Sequence, residues 1–234
     1  MINDYFRDIM SFWWRHLGAI FLVTAPFALL SEGLQLATGP ALVMDGDQVS
    51  GFNMGSIIVV LLLRPLAEAT LIMQLGSLHA GKARGLMACL LPALSVYPLV
   101  LATYFFIALG VSLGWFALFF PALWVYTRLC FAPFLVVLRG QRPLEALSNA
   151  FKLSQRQQWP LLFTLVMTFL LVLMVSGLVS GLLVGMLGQG GQLVTGLFTS
   201  LVGATVSVTA FRYLIAATEE QDERPPAQDP QDEP

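Results

Sequence analysis

Charge is scarce in this chain of 234 residues: acids and bases together make up 11% of it, against 57% hydrophobic residues. A soluble domain carries roughly a quarter of its residues charged. That class is therefore excluded, and a mean hydropathy of +0.76 places the chain in a bilayer. Cysteine is nearly absent as well. Cys89 and Cys130 both fall inside apolar runs, where a thiol behaves as a small hydrophobe, so a disulfide framework has no support. The two histidines, His16 and His79, lie far apart without cysteine or carboxylate company at ligand spacing. Metal binding and histidine catalysis are both unsupported. No motif names a substrate or a reaction, so no catalytic, cofactor or metal residue is assigned and no nucleic-acid partner is expected. The formal net charge of −2 is a local effect, because seven of the fourteen acids lie in the tail from Glu219 to Pro234.

What is present is a succession of long apolar runs. Residues 1–15 alternate Ile2, Tyr5, Phe6, Ile9 and Trp13 with Asn3, Asp4, Arg7, Asp8, Ser11 and Arg15 at helical spacing. This predicts an amphipathic helix in the membrane interface. Asp4 and Asp8 spoil the positive start of a signal peptide, so the segment is expected to be retained. Six spans of about the length that a ~30 Å hydrocarbon layer requires are then predicted, at 17–37, 54–78, 86–108, 115–138, 159–184 and 193–217. Between the first two lies a polar loop, 38–53, whose Asp45-Gly46-Asp47 is a turn signal lacking the other ligands of a calcium loop. Short turns are expected at 109–114 and 185–192. After the fourth span, Gly140 suits a left-handed helix cap and Pro143 the first turn of a second interfacial helix over 143–158. Leu144, Leu147, Phe151 and Ser154 form its stripe, widened by Ala146, Ala150 and Leu153. Residues 218–234, rich in proline and acid, are expected to form a disordered tail. The fold class is thus all-α, a polytopic membrane protein with six transmembrane helices and two interfacial helices.

Four charges are chemically out of place. Arg64 and Glu68 stand four apart in the second span, on one helix face, with Pro65 between them. A central charge costs about 2.5–3.5 kcal/mol on insertion scales, so both should face the bundle interior or water. At 1.5 Å per residue, Arg128 lies about 20 Å below the outer end of its span and Glu68 about 21 Å below its own. Glu32 is the nearest acid in depth to Arg64 from another helix. Glu32, Arg64, Glu68 and Arg128 are therefore the candidate intramembrane network, either a sealed ion pair that locks packing or a polar path. Arg212, near the end of the last span, is expected to snorkel without a partner. Gly177, Gly181 and Gly185 repeat at four-residue spacing, which suits close helix packing within the chain or association with a second copy or another membrane protein.

Arg128, Ala132-Pro133, Gly140, Pro143, Ala146-Leu147, Leu153 and Trp159 follow a pattern that resembles the YciC-like bacterial inner-membrane proteins. It is also similar to the wider group of membrane domains related to those of glycerophosphodiester phosphodiesterases. The close match covers some thirty residues. The resemblance implies an integral inner-membrane protein with no catalytic residues to carry over, because the soluble phosphodiesterase domain has no counterpart here.

The bases set the expected orientation. Loops 38–53, 109–114 and 185–192 contain no Lys or Arg, while Arg7, Arg15, Lys82, Arg84, Arg139, Arg142, Lys152, Arg156 and Arg224 all fall on the other side. By the positive-inside rule both termini are cytoplasmic. Trp13, Trp14 and Trp159 fit an aromatic belt on that side. Arg139, Arg142, Lys152 and Arg156 are candidate contacts for anionic lipid headgroups. Two functions remain in competition: a non-enzymatic membrane protein that binds lipid or another membrane protein, and a small transporter or channel that uses the intramembrane charges. An intramembrane enzyme is weaker, since no histidine lies in a span to act as base.

Overall fold

The computed structural model describes residues 2–39, 42–45, 48–117, 119–187 and 189–222. Six helical segments are long and apolar enough to cross a membrane, and the chain is an all-α integral membrane protein. Helix α1 (Ile2–Arg15) leads almost without a break into α2 (Leu17–Thr38), since His16 N–H donates to the Phe12 carbonyl and Ile20 N–H to the His16 carbonyl. Ile9, Phe12 and Trp13 of α1 are buried while Trp14 stays 68% exposed, which is the amphipathic pattern read from the sequence. Trp13 is not a belt residue. Its indole N–H donates to the Leu201 carbonyl of the last helix at 3.3 Å.

The segment expected to be a polar loop contains an antiparallel hairpin of β1 (Leu42–Asp45) and β2 (Gln48–Phe52), with Asp45 opposite Gln48. Gly46 and Asp47 of the predicted turn lie outside the described residues. The hairpin is closed at its base. Asn53 caps the next helix by accepting from Ser56 N–H and donates to the Thr38 carbonyl, and Ser56 Oγ donates to the Gly39 carbonyl at 2.6 Å.

Helix α3 (Met54–His79) keeps its predicted extent, but α4 (Leu86–Ala117) runs through the expected turn at 109–114. Nothing there breaks a helix. Gly110 and Gly114 instead bring the following helix close, and at Gly114 the Ala122 backbone stands 2.6 Å from where a Cβ would be. The predicted fourth span is correspondingly divided into α5 (Phe119–Leu129) and α6 (Ala132–Arg139). Pro133 explains the break, because it has no N–H for the Leu129 carbonyl and it biases Ala132 away from helix.

From Ala132 to Val137 every residue of α6 is buried. Gly140 ends it in the left-handed conformation, φ 64°, and Pro143 opens α7 (Pro143–Leu153), both as the sequence predicted. Helix α7 folds back on α6, so that Ser154 just after it donates to the Arg128 carbonyl just before α6. Its inward face is Ala146, Ala150, Leu153 and Ser154; Leu144 is 67% exposed, so the predicted stripe is displaced. Small residues face inward because α6 lies close against them.

The last two helices, α8 (Gln158–Leu187) and α9 (Gln189–Asp222), form the longest contact in the molecule. Both run into the expected turn at 185–192, and α9 takes in the start of the expected tail, of which residues 223–234 lie outside the described set. Thr164 shares a 2.8 Å hydrogen bond with Tyr213 OH, and Thr168 pairs with Thr209. Packing between these helices does not use the glycine repeat. Gly177, Gly181 and Gly185 are exposed, with no atom within 4 Å of a Cβ built on them. Helix α2 returns to pack on both α3 and α9, while α5 meets α8 over a much shorter stretch.

Candidate functional site

The four charges do not form one network. Arg64 and Glu68 stay together on α3, but no ion pair joins them among the described residues. Glu68 instead accepts a 2.5 Å hydrogen bond from Ser207 Oγ of α9. Glu32 lies elsewhere, its side chain laid across Gly196 of α9 in the space a Cβ would fill. Arg128 is turned toward α7, where its Nη1 donates to the Phe151 carbonyl at 3.1 Å. Depth counting placed Arg128 near Glu68, but it carries no rotation, and rotation decides what a side chain meets.

Two tyrosines that the sequence reading missed complete the first pair. Tyr104 of α4 and Tyr126 of α5 both lie within electrostatic reach of Arg64 and Glu68. Glu68 and Tyr104 are partly covered, Tyr126 is 40% exposed and Arg64 is exposed. With Ser207 of α9 beside Glu68, these side chains form a polar cluster carried by α3, α4 and α5.

Pro65 is buried and has no N–H for the Leu61 carbonyl. One residue on, Tyr97 OH of α4 donates to the Leu62 carbonyl at 2.8 Å and ties the weakened turn to α4.

At the other end of the bundle, α6 packs on α3 and borders a cavity of about 210 Å³ lined by His79, Phe134, Leu138, Arg139, Phe211 and Thr218, between α3, α6 and α9. Leu138 fills the gap above Gly76 of α3, Phe134 stacks on Phe211 at 6.1 Å, and Arg139 donates to Thr218 of α9. Arg139, Arg142, Lys152 and Arg156 are all exposed at this basic end. Just inside it, buried Gln74 accepts from Cys89 Sγ at 3.0 Å while its Nε2 has no hydrogen-bond partner. A glutamine within an apolar span was the signal for it.

Arg212 also departs from expectation. Rather than snorkelling alone, it donates through Nε and Nη2 to Asp8 of α1. No group of three or more potential metal ligands occurs among the described residues. The chain matches no protein-family model, no curated protein and no solved structure. Function is therefore read from the residues themselves.

Proposed function

We propose that this integral membrane protein is a non-enzymatic binder of an anionic amphiphile, held against the polar cluster of Arg64, Glu68, Tyr104, Tyr126 and Ser207. Arg64 carries the reading: an exposed guanidinium without hydrogen bond or ion pair among the described residues, ten residues inside an apolar helix. A cation at such depth is stable only against an anion or water. The flank of α3 on either side of it is apolar, with Leu61 63% and Leu62 47% exposed. A headgroup at Arg64 with a tail along these leucines satisfies both surfaces. The tyrosine hydroxyls supply neutral hydrogen bonds, and Ser207 holds Glu68 away from the incoming anion.

In this reading the protein resides in a bacterial inner membrane, as the resemblance to YciC-like proteins implies, with both termini cytoplasmic, as the distribution of Lys and Arg favours. The exposed Arg139, Arg142, Lys152 and Arg156 then face the anionic leaflet. Transport of a polar solute is the second reading, carried by the same intramembrane charges.

A photoreactive phosphatidylglycerol in nanodiscs tests the proposal. Adducts are expected on peptides carrying Tyr104 or Tyr126, and Arg64→Gln should reduce them about tenfold, the loss of ~1.4 kcal/mol. Undiminished labelling in a folded Arg64→Gln protein defeats the proposal. Arg64-dependent solute flux into liposomes, without such adducts, replaces it with transport.

A further inference from the structure

Arg128 is 7% exposed, and its guanidinium carbon lies 5.1 and 4.5 Å from the ring centroids of Trp124 and Phe151, two rings that meet edge to face at 79°. Its Nη1 is occupied by the Phe151 carbonyl. Its Nε is buried without a hydrogen-bond partner, and no acid pairs with it among the described residues. Arg212 in the same protein shows what the Nε and Nη2 edge ordinarily does, since that edge takes both of its hydrogen bonds to Asp8. The corresponding edge of Arg128 has no hydrogen-bond acceptor among the described residues.

Burying a guanidinium costs desolvation free energy. Two cation–π contacts offset part of that cost and leave the buried Nε–H unsatisfied. A planar fork of this kind matches the paired oxygens of a phosphate, and phosphate recognition by arginine is bidentate where lysine acts only as a point charge. Placement favours the same ligand. Arg128 is tied to Phe151 and Ser154, next to exposed Lys152 and Arg156 at the basic end. Phe151 and Trp159 there are 42% and 57% exposed, an apolar border along which an acyl chain can lie.

We infer that the Nε and Nη2 edge of Arg128 is an oxyanion site that takes a phosphate group, with the rings of Trp124 and Phe151 packed against the guanidinium. This site shares no residue with the Arg64 cluster. The phosphate belongs either to a lipid headgroup of the adjoining leaflet or to free phosphate, and the two sources separate by experiment.

Native mass spectrometry of the full chain in detergent, loaded in turn with phosphatidic acid, diacylglycerol and inorganic phosphate, provides the test. Phosphatidic acid should be retained and diacylglycerol lost, and Arg128→Lys, which keeps the charge but removes the fork, should lower retention about tenfold. Lys152→Gln with Arg156→Gln should change it less. Displacement of phosphatidic acid by millimolar inorganic phosphate supports the oxyanion site and assigns it to free phosphate. Equal retention by Arg128→Lys, or equal retention of diacylglycerol, overturns the inference. Should Arg128→Lys fail to fold, phenylglyoxal modification of Arg128 in the wild-type protein decides: protection by phosphatidic acid or phosphate supports the site, and unchanged modification overturns it.

Discussion

Arg212 of α9 holds Asp8 of α1 through two donors, Nε at 2.9 Å and Nη2 at 2.5 Å, and its guanidinium lies over the Phe12 ring at 5.6 Å. The pair joins the first helix to the last, 204 residues apart. Its side chains are 27% and 43% exposed, so solvent screens much of the attraction. A double-mutant cycle of Asp8→Asn and Arg212→Gln should return a coupling of about 0.5–1 kcal/mol in thermal or denaturant unfolding. A coupling of zero would show that α1 is held by Ile9, Phe12 and Trp13 alone.

Glu32 occupies the space that a Cβ at position 196 needs, so Gly196→Ala should destabilise the contact between α2 and α9 by about 1–3 kcal/mol. Glu32→Ala on the same background should recover most of the loss. Rescue depends on this contact, and an equal loss with and without Glu32 would refute it.

Gly114→Ala should behave differently. A Cβ there meets the Ala122 backbone, which no side-chain change can remove. The expected cost is again about 1–3 kcal/mol, and Ala122→Gly should fail to relieve it. Relief would mean that α4 and α5 separate more easily than their packing indicates.

Removing the Tyr97 hydroxyl with Tyr97→Phe deprives the Leu62 carbonyl of its donor from α4. The expected loss is about 1 kcal/mol. Unchanged unfolding would show that another donor or water takes over at the weakened turn near Pro65.

Orientation is accessible to labelling. With cysteines introduced in turn at exposed Ser50 and Ser148, an impermeant thiol reagent outside intact cells should reach position 50 and miss position 148. The reverse pattern would place the termini outside.

The membrane spans were legible because hydropathy is a property of each residue, and a run of twenty apolar residues has few other uses. The Gly140 cap and the Pro143 start were legible for a similar reason: the dihedral limits of glycine and proline are local. Turns proved less legible. The chargeless residues at 109–114 carry no proline, α4 tolerates their two glycines, and only the packing of Gly114 against Ala122 shows that α4 and α5 meet beyond them. Pro133, by contrast, stands in the first turn of α6, where it starts a new helix within the predicted span.

The candidate site divides along the same line. Arg64 and Glu68 were visible because charge inside an apolar run is anomalous on its face, and their spacing on one helix guaranteed that they would remain neighbours. Tyr104, Tyr126 and Ser207 were not visible, since a tyrosine or serine in a span is unremarkable until another helix brings it to a charge. The sequence by itself determined which residues are too costly to face lipid, through their solvation energies. Tertiary structure alone decided their partners, turning Glu68 to Ser207, Arg212 to Asp8 and Arg128 to Phe151, because helix rotation is set by packing between segments and leaves no local trace.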